Sequence, residues 1–307
     1  LKKTLESFVN KNKIVVLGLL AIILILATGI GIFAFMQQKT IIYNKDLIET
    51  LTVPEAKKIS GDYFGVLVLG SDQGATKTNG GNHTDSITYV AMNRKTKKAY
   101  ALPIYRDAFI YNKCTNTSVN INHIYRDSGA ECLTTSVSDF LGVPVDYYIY
   151  ITSNGFVDLF NTIGPLTITA EASYCSKYGN DENEYCFTDG QTQELNGNQL
   201  LAYARYRGNT SGERRAMRHI QILNKAYEKC VGNKLICLSA VSQALDSDNI
   251  QTDLPYESVI DLGHITQLEM LSTIAGSNFQ DDTGWHQGVN ENDLHEKVDK
   301  IKNEIFI

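Results

Sequence analysis

Two groups of residues in this chain have the types and spacing to do chemistry. The first is "LAYARYRGNTSGERRAMRH", residues 201 to 219, which ends on His219 and holds five of the eight arginines: Arg205, Arg207, Arg214, Arg215 and Arg218. A guanidinium is a planar fork of donors that grips carboxylate or phosphate oxygens two at a time and stays charged at any working pH. In a chain of formal net charge −6, such local crowding asks for an anionic ligand. The second group is acidic. "LVLGSDQG" and "NHTDSITYV" put Asp72 just past the carboxyl end of one predicted strand and Asp85 at the entry to the next, where α/β sheets usually place ligands. Taken alone, each aspartate reads as a turn or N-cap residue. Beside an arginine cluster they suit a divalent cation shared with a polyphosphate, because Mg²⁺ takes one or two carboxylates together with phosphate oxygens. "PIYRDAF" adds Arg106 and Asp107 at the end of a further strand, a pair whose plain reading is a surface ion pair worth little.

These residues need a scaffold, and the pattern around them supplies one. "YFGVLVLG", "SITYVAMN", "KAYALPI", "VDYYIYIT" and "PLTITA" are short β-type runs. Helical patterns interleave with them in "ECLTTSVSDFLG", "SNGFVDLFNTIG", "NGNQLLAYARYR", "LICLSAVSQALDSD" and "HITQLEMLSTIAG". Strands alternating with helices predict a layered α/β domain. After the cluster, Thr210 and Glu213 have capping-box spacing, and Ala216, Ile220, Leu223, Tyr227 and Cys230 recur at steps of four and three, which predicts a helix with one apolar stripe. At about 100° per residue, Arg214 should face water, whereas Arg215, Arg218 and His219 project from the flank of the stripe.

Composition sets the outer bounds. With 43% hydrophobic and 20% charged residues the chain reads as folded, and its net acidity argues against a nucleic-acid partner. No charged residue occurs from Ile14 to Gln38, a run long enough to cross a hydrocarbon layer of about 30 Å as a helix. Lys2, Lys3, Lys11 and Lys13 stand before it and only Lys39 and Lys45 shortly after, so the positive-inside rule predicts a cytoplasmic tail over 1–13, a transmembrane helix over 14–38, a connector over 39–61 and an extracytoplasmic domain over 62–307. All six cysteines lie beyond the span, in the compartment where disulfides persist. Pairing of sequence neighbours (114 with 132, 175 with 186, 230 with 237) is the simplest of the possible arrangements. No Cys/His spacing of a zinc site is present.

In order and spacing, "VLVLGSD", "TDSITYVAMNRKTKKAYALPIYRD", "NINHIYRDSG", "LGVPVDYYIYITSNGFVDLFNTIGPLTI", "LNGNQLLAYARYR" and "RRAMRHIQIL" resemble the LytR-CpsA-Psr (LCP) glycopolymer transferases of bacterial envelopes, over roughly Tyr63 to Lys302. The resemblance implies a membrane-anchored enzyme with a layered α/β/α domain around a central mixed β-sheet. It would move a glycopolymer from a polyprenyl-pyrophosphate carrier to a wall acceptor such as peptidoglycan, with Mg²⁺ as cofactor. It further implies Asp72 and Asp85 as metal and catalytic aspartates, Arg106 as the arginine of the R-D motif, and Arg205, Arg207 and Arg215, with Arg218 and His219 beside them, as the grip on the pyrophosphate. On this view a sugar hydroxyl attacks the anomeric carbon and expels polyprenyl pyrophosphate. The competing reading is a protein that binds the same lipid or wall polymer with weak pyrophosphatase activity or none. Four positions depart from the family pattern: His83 for a basic residue, Asn120 for the lysine of K-I-N, Tyr105 for the proline of P-R-D, and His219 for a glutamine. They bear on substrate choice.

The lysine asymmetry generates a topological prediction. Protease added to intact spheroplasts should digest the region after Lys39 and spare the N-terminal tail; protection of the large domain would refute the orientation.

Overall fold

A computed structural model describes residues 61–71, 83–177, 183–206, 212–245, 247–255 and 264–307. The predicted membrane span, its connector, Asp72, Arg207 and the Thr210–Glu213 capping pair lie outside the described residues and side chains. Among the described residues no helix is long and apolar enough to cross a membrane.

The central sheet has six strands: β1 (Tyr63–Ser71), β2 (Thr84–Asn93), β3 (Lys98–Ile104), β6 (Tyr147–Ile151), β11 (Ile250–Thr252) and β12 (Gln267–Met270), in the order β11-β6-β1-β2-β3-β12. β1 pairs parallel with β6 and antiparallel with β2, and β3 pairs antiparallel with β2 and parallel with β12. The sheet is therefore mixed, as the resemblance implies. "HITQLEMLSTIAG", read from its pattern as a helix, instead holds β12, whose parallel pairing with β3 at the sheet edge decides the element. Alternation along the strands fixes its two faces. Leu67, Leu69, Ile87, Tyr89 and Ala91 pack in one core with α1 (Ile121–Leu141) and α6 (Glu291–Ile305). Phe64, Val66, Met92 and Tyr147 build another, to which α4 (Gly212–Gly232) and α5 (Lys234–Leu245) contribute Tyr227 and Val241. Gly65 lets the sheet approach a neighbouring turn: a Cβ there would lie 2.2 Å from the Pro144 carbonyl oxygen.

Two further helices complete the site side, α2 (Ser153–Ile163) and α3 (Gly197–Arg205). Thr152 caps α2, accepting from the Gly155 amide at 3.1 Å. Asn196 and Gln199 form a reciprocal capping box on α3, which fixes where that helix starts and so the phase of its side chains; Arg205 is its last residue. Among the described residues four two-stranded antiparallel ribbons lie outside the sheet: the hairpins β4–β5 (Phe109–Asn112, Thr117–Asn120), β8–β9 (Tyr174–Lys177, Glu184–Phe187) and β13–β14 (Asn278–Asp281, Gly284–Gln287), and β7–β10 (Leu166–Thr169, Thr192–Leu195), which brackets β8–β9. All six cysteines are paired, in the neighbour pattern: Cys114–Cys132, Cys175–Cys186 and Cys230–Cys237. The first ties the β4–β5 turn to α1, beyond a break in that helix at Gly129, where φ is +82°.

Candidate active site

Asp85 owes its position to a defect in the sheet. Gly70 pairs with Ser86 and Ser71 with Thr84, so Asp85 is the extra residue of a β-bulge, a device that re-aims a side chain at the rim of a sheet. On its other side the register that pairs Ile87 with Ile104, carried two residues further, sets Asp85 opposite Arg106 just past the end of β3. The result is a direct ion pair: Arg106 Nη1 donates to Asp85 Oδ1. Burial works against the Arg106 charge, but Asp85 and Asp107 outweigh it and raise the guanidinium pKa above its ordinary value. Arg205 reaches the same carboxylate from the last turn of α3, with Nη2 3.5 Å from Asp85 Oδ2.

Beside this cluster lies a cavity of about 260 Å³ between the sheet and helices α2, α3 and α4. Its walls are chiefly apolar, with Val68, Phe156, Leu159, Phe160, Leu201 and Ile222 prominent, and its charged lining is Asp85, Arg205 and Arg215. The cavity face of α4 runs through Arg215, His219, Ile222, Leu223 and Ala226. Of the predicted stripe, Leu223 lines the cavity while Tyr227 packs against the Phe64 core and Cys230 against Ile163; Ile222 and Ala226 join the cavity wall. Arg214 faces water as expected, its side chain 54% exposed and 3.7 Å from Glu171.

Two assignments change. Arg218 does not line the cavity; it is buried, donating to Glu171 Oε1 and, at 2.6 Å, to the Tyr206 carbonyl, with its guanidinium near the Tyr174 and Tyr206 rings. It fastens the backbone that follows Arg205 instead of gripping a ligand. His219 does line the cavity, yet not as a cation. Burial, reinforced by Arg215, pushes its pKa down to about 4. The neutral ring donates from Nε2 to the Ala204 carbonyl and accepts at Nδ1 from the Ser86 hydroxyl, each at 3.2 Å. His219 therefore ties the residue after Asp85 to the residue before Arg205. Ser86 and Glu171 carry these two contacts and were missed in the sequence; Ser86 had only its place beside Asp85 to recommend it.

For a divalent cation the described residues at this site offer one carboxylate, Asp85. That fits Mg²⁺, which is commonly held by one or two carboxylates plus substrate phosphate, since a carboxylate has lone pairs enough to serve guanidiniums and a cation together. The remaining departures also find partners. Arg126 Nη1 donates to His83 Nε2 at 3.0 Å. The His123 ring packs edge-on against His83, its pKa lowered by burial and then by Arg126, His83 and Arg106. Asn120 is buried and hydrogen-bonded to His286, and Tyr105 packs against the core of α1 and α6.

The model of the LytR-CpsA-Psr family matches residues 31–306 of this chain. A relative in Bacillus subtilis (strain 168), the polyisoprenyl-teichoic acid–peptidoglycan teichoic acid transferase TagU, is 27% identical over 289 residues, covering 86% of this chain and 88% of its own. The solved structure of B. subtilis TagV superposes with a TM-score of 0.68 at 24% identity, over 81% of this chain and 99% of that one. A structure described as TagT bound to LIIa-WTA gives 0.65 at 22% identity, over 80% and 92%. At these identities the two structures establish the fold.

The two revised residues have separable signatures. Arg218→Ala removes charge-assisted bonds to Glu171 and Tyr206 worth about 2 kcal/mol, so the thermal midpoint should fall by roughly 4 to 8 °C, while Arg214→Ala should leave it unchanged. His219 has a lower pKa folded, about 4, than its ordinary 6.5; the unfolded chain therefore binds the extra proton first, and stability should decline as pH falls from 6.5 towards 4. His219→Gln should flatten that part of a denaturation profile taken against pH, and an unchanged slope would remove His219 as its cause.

Proposed function

From the premise that this chain belongs to the LytR-CpsA-Psr family, we propose that it is a membrane-anchored transferase carrying a glycopolymer from a polyprenyl-pyrophosphate carrier to a wall acceptor such as peptidoglycan. The observation that carries this reading is the juxtaposition at the cavity: apolar walls suited to a polyprenyl chain, and Asp85, Arg205 and Arg215 in the lining with Arg106 paired to Asp85. A ligand that fits has a hydrocarbon tail and an anionic head. The names of relatives point the same way, since TagU is called a transferase of polyisoprenyl-linked teichoic acid to peptidoglycan. In this proposal the apolar run 14–38 is the anchor and the domain works outside the cytoplasmic membrane.

The charges also bear on which bond breaks. Attack at the anomeric carbon passes through an oxocarbenium-like, electron-poor transition state that a neighbouring carboxylate stabilises. Here Asp85 is already engaged by two guanidiniums, and a field of arginines opposes positive charge on a sugar. Attack at phosphorus instead spreads negative charge over phosphoryl oxygens, which arginines stabilise. We therefore assign attack by the acceptor hydroxyl to the phosphorus that bears the polymer, not to the anomeric carbon. A new P–O bond to the acceptor forms, the P–O bond to polyprenyl phosphate breaks, and the hydroxyl proton passes to a base. Arg106, Arg205 and Arg215 hold the phosphates, with Arg207 placed among them by the sequence motif. His219 sets the spacing of strand and helix. Asp85, with Asp72, would hold Mg²⁺, which when bound supplies positive charge to the phosphate oxygens.

Arg106→Ala and Arg205→Ala should each slow transfer roughly 30- to 1,000-fold, about 2 to 4 kcal/mol of transition-state stabilisation, with Arg214→Ala near wild type. Mass spectrometry of the released lipid should find polyprenyl monophosphate. Release of the pyrophosphate would overturn the choice of bond, and full activity in all three variants would overturn the transferase reading.

A further inference from the structure

The β13–β14 hairpin carries the chain's single tryptophan, and Trp285 is 66% exposed. Strand alternation with the pairs Asn278↔Gln287, Phe279↔His286 and Gln280↔Trp285 sorts the hairpin into two faces. Phe279 and His286 lie on one, packed against Phe109. Trp285, Asn278, Gln280 and Gln287 share the other: an indole among three carboxamides, with no charge.

The hairpin that carries this face is rigidly mounted on the segment that follows Arg106. The buried His286 is held by Asn120 at 2.6 Å and Asp281 at 2.8 Å, and Asn120 also donates to the Trp285 carbonyl at 3.0 Å. Gln287 bridges to Ala108, and its amide donates to the Asp107 carbonyl at 2.8 Å. Ala108 follows Arg106 by two residues, about 7 Å of extended chain.

We infer that the Trp285 face of this hairpin is the acceptor subsite, binding an uncharged pyranose segment of the acceptor glycan; this rests on the transferase reading above. A pyranose offers a C–H face that stacks on an indole and hydroxyl pairs that carboxamides bind from donor and acceptor atoms together. The other substrate, a polymer rich in phosphate, would call for cations. This face has none, and the exposed Asp281 and Asp282 at its turn and Asp107 at its base are acidic. Rigid mounting lowers the entropy cost of holding a flexible sugar chain.

Because Trp285 is the only tryptophan, its fluorescence reports on this face alone. Titration of the full-length protein with an N-acetylglucosamine oligosaccharide should give a saturable blue shift, and poly(glycerol phosphate) should give none. In the transfer assay Trp285→Ala should raise the acceptor KM about tenfold with kcat retained, Trp285→Phe should restore most of the loss, and Gln280→Ala should raise KM less. A silent tryptophan, an equal response to poly(glycerol phosphate), or a wild-type acceptor KM in Trp285→Ala would overturn the proposal. The titration needs no turnover. A wild-type protein that shows the shift but never transfers sinks the transferase reading, and with it the acceptor role, leaving a glycan-binding face, whereas one that transfers with a silent tryptophan sinks the subsite alone.

Discussion

The ion pairs of Asp85 with Arg106 and Arg205 are the constraint on which the site depends. Three guanidiniums from three elements, Arg106 after β3, Arg205 at the end of α3 and Arg215 near the start of α4, converge on one region. They repel one another, and the only carboxylate lining the cavity among the described residues is Asp85. Arg215 also stands near the positive end of its helix dipole, where a cation is disfavoured. The arrangement therefore carries an excess of positive potential that an anionic headgroup would relieve. The β-bulge on β2 is what aims Asp85 at this work. The Asn196–Gln199 capping box, by fixing the start of α3, sets the phase at which Arg205 meets it.

Much of this was legible before any coordinates. Strand alternation and helical periodicity predicted a layered α/β domain, and Asp85 and Arg106 were each legible as residues at strand ends, though their meeting was set by the register of β2 with β3. What was not legible was decided by contacts distant in sequence. Arg218 lies close in angle to Arg215 on α4, so helical phase could not separate them; Glu171, 47 residues away, draws its guanidinium out of the cavity. His219 reads as a cation by type, but its neutral state follows from burial and from a bond to Ser86 across 133 residues. No local pattern encodes either.

Two of the departures from the family pattern follow a common logic. Where a charge is expected, the chain places a polar group bound to a partner elsewhere: His83 to Arg126 and Asn120 to His286. Each exchange moves free-energy cost from holding a bare cation to satisfying hydrogen bonds, the cheaper requirement in a half-buried setting. Asn120 shows the gain most clearly, because a lysine there could not both donate to the Trp285 carbonyl and accept from His286.

The disulfides have a consequence for how the molecule is made. Their partners lie 18, 11 and 7 residues apart, and each joins one cysteine to the next in the chain. If the domain is exported as proposed, a polypeptide that emerges from a translocation pore in order, N-terminus first, presents Cys132 before Cys175 and Cys186 before Cys230. An oxidase that joins thiols as they appear would therefore make every native bond and no other. Maturation would ask for an electron acceptor but for no isomerase, and a host with only the first enzyme could still produce the fully bridged protein.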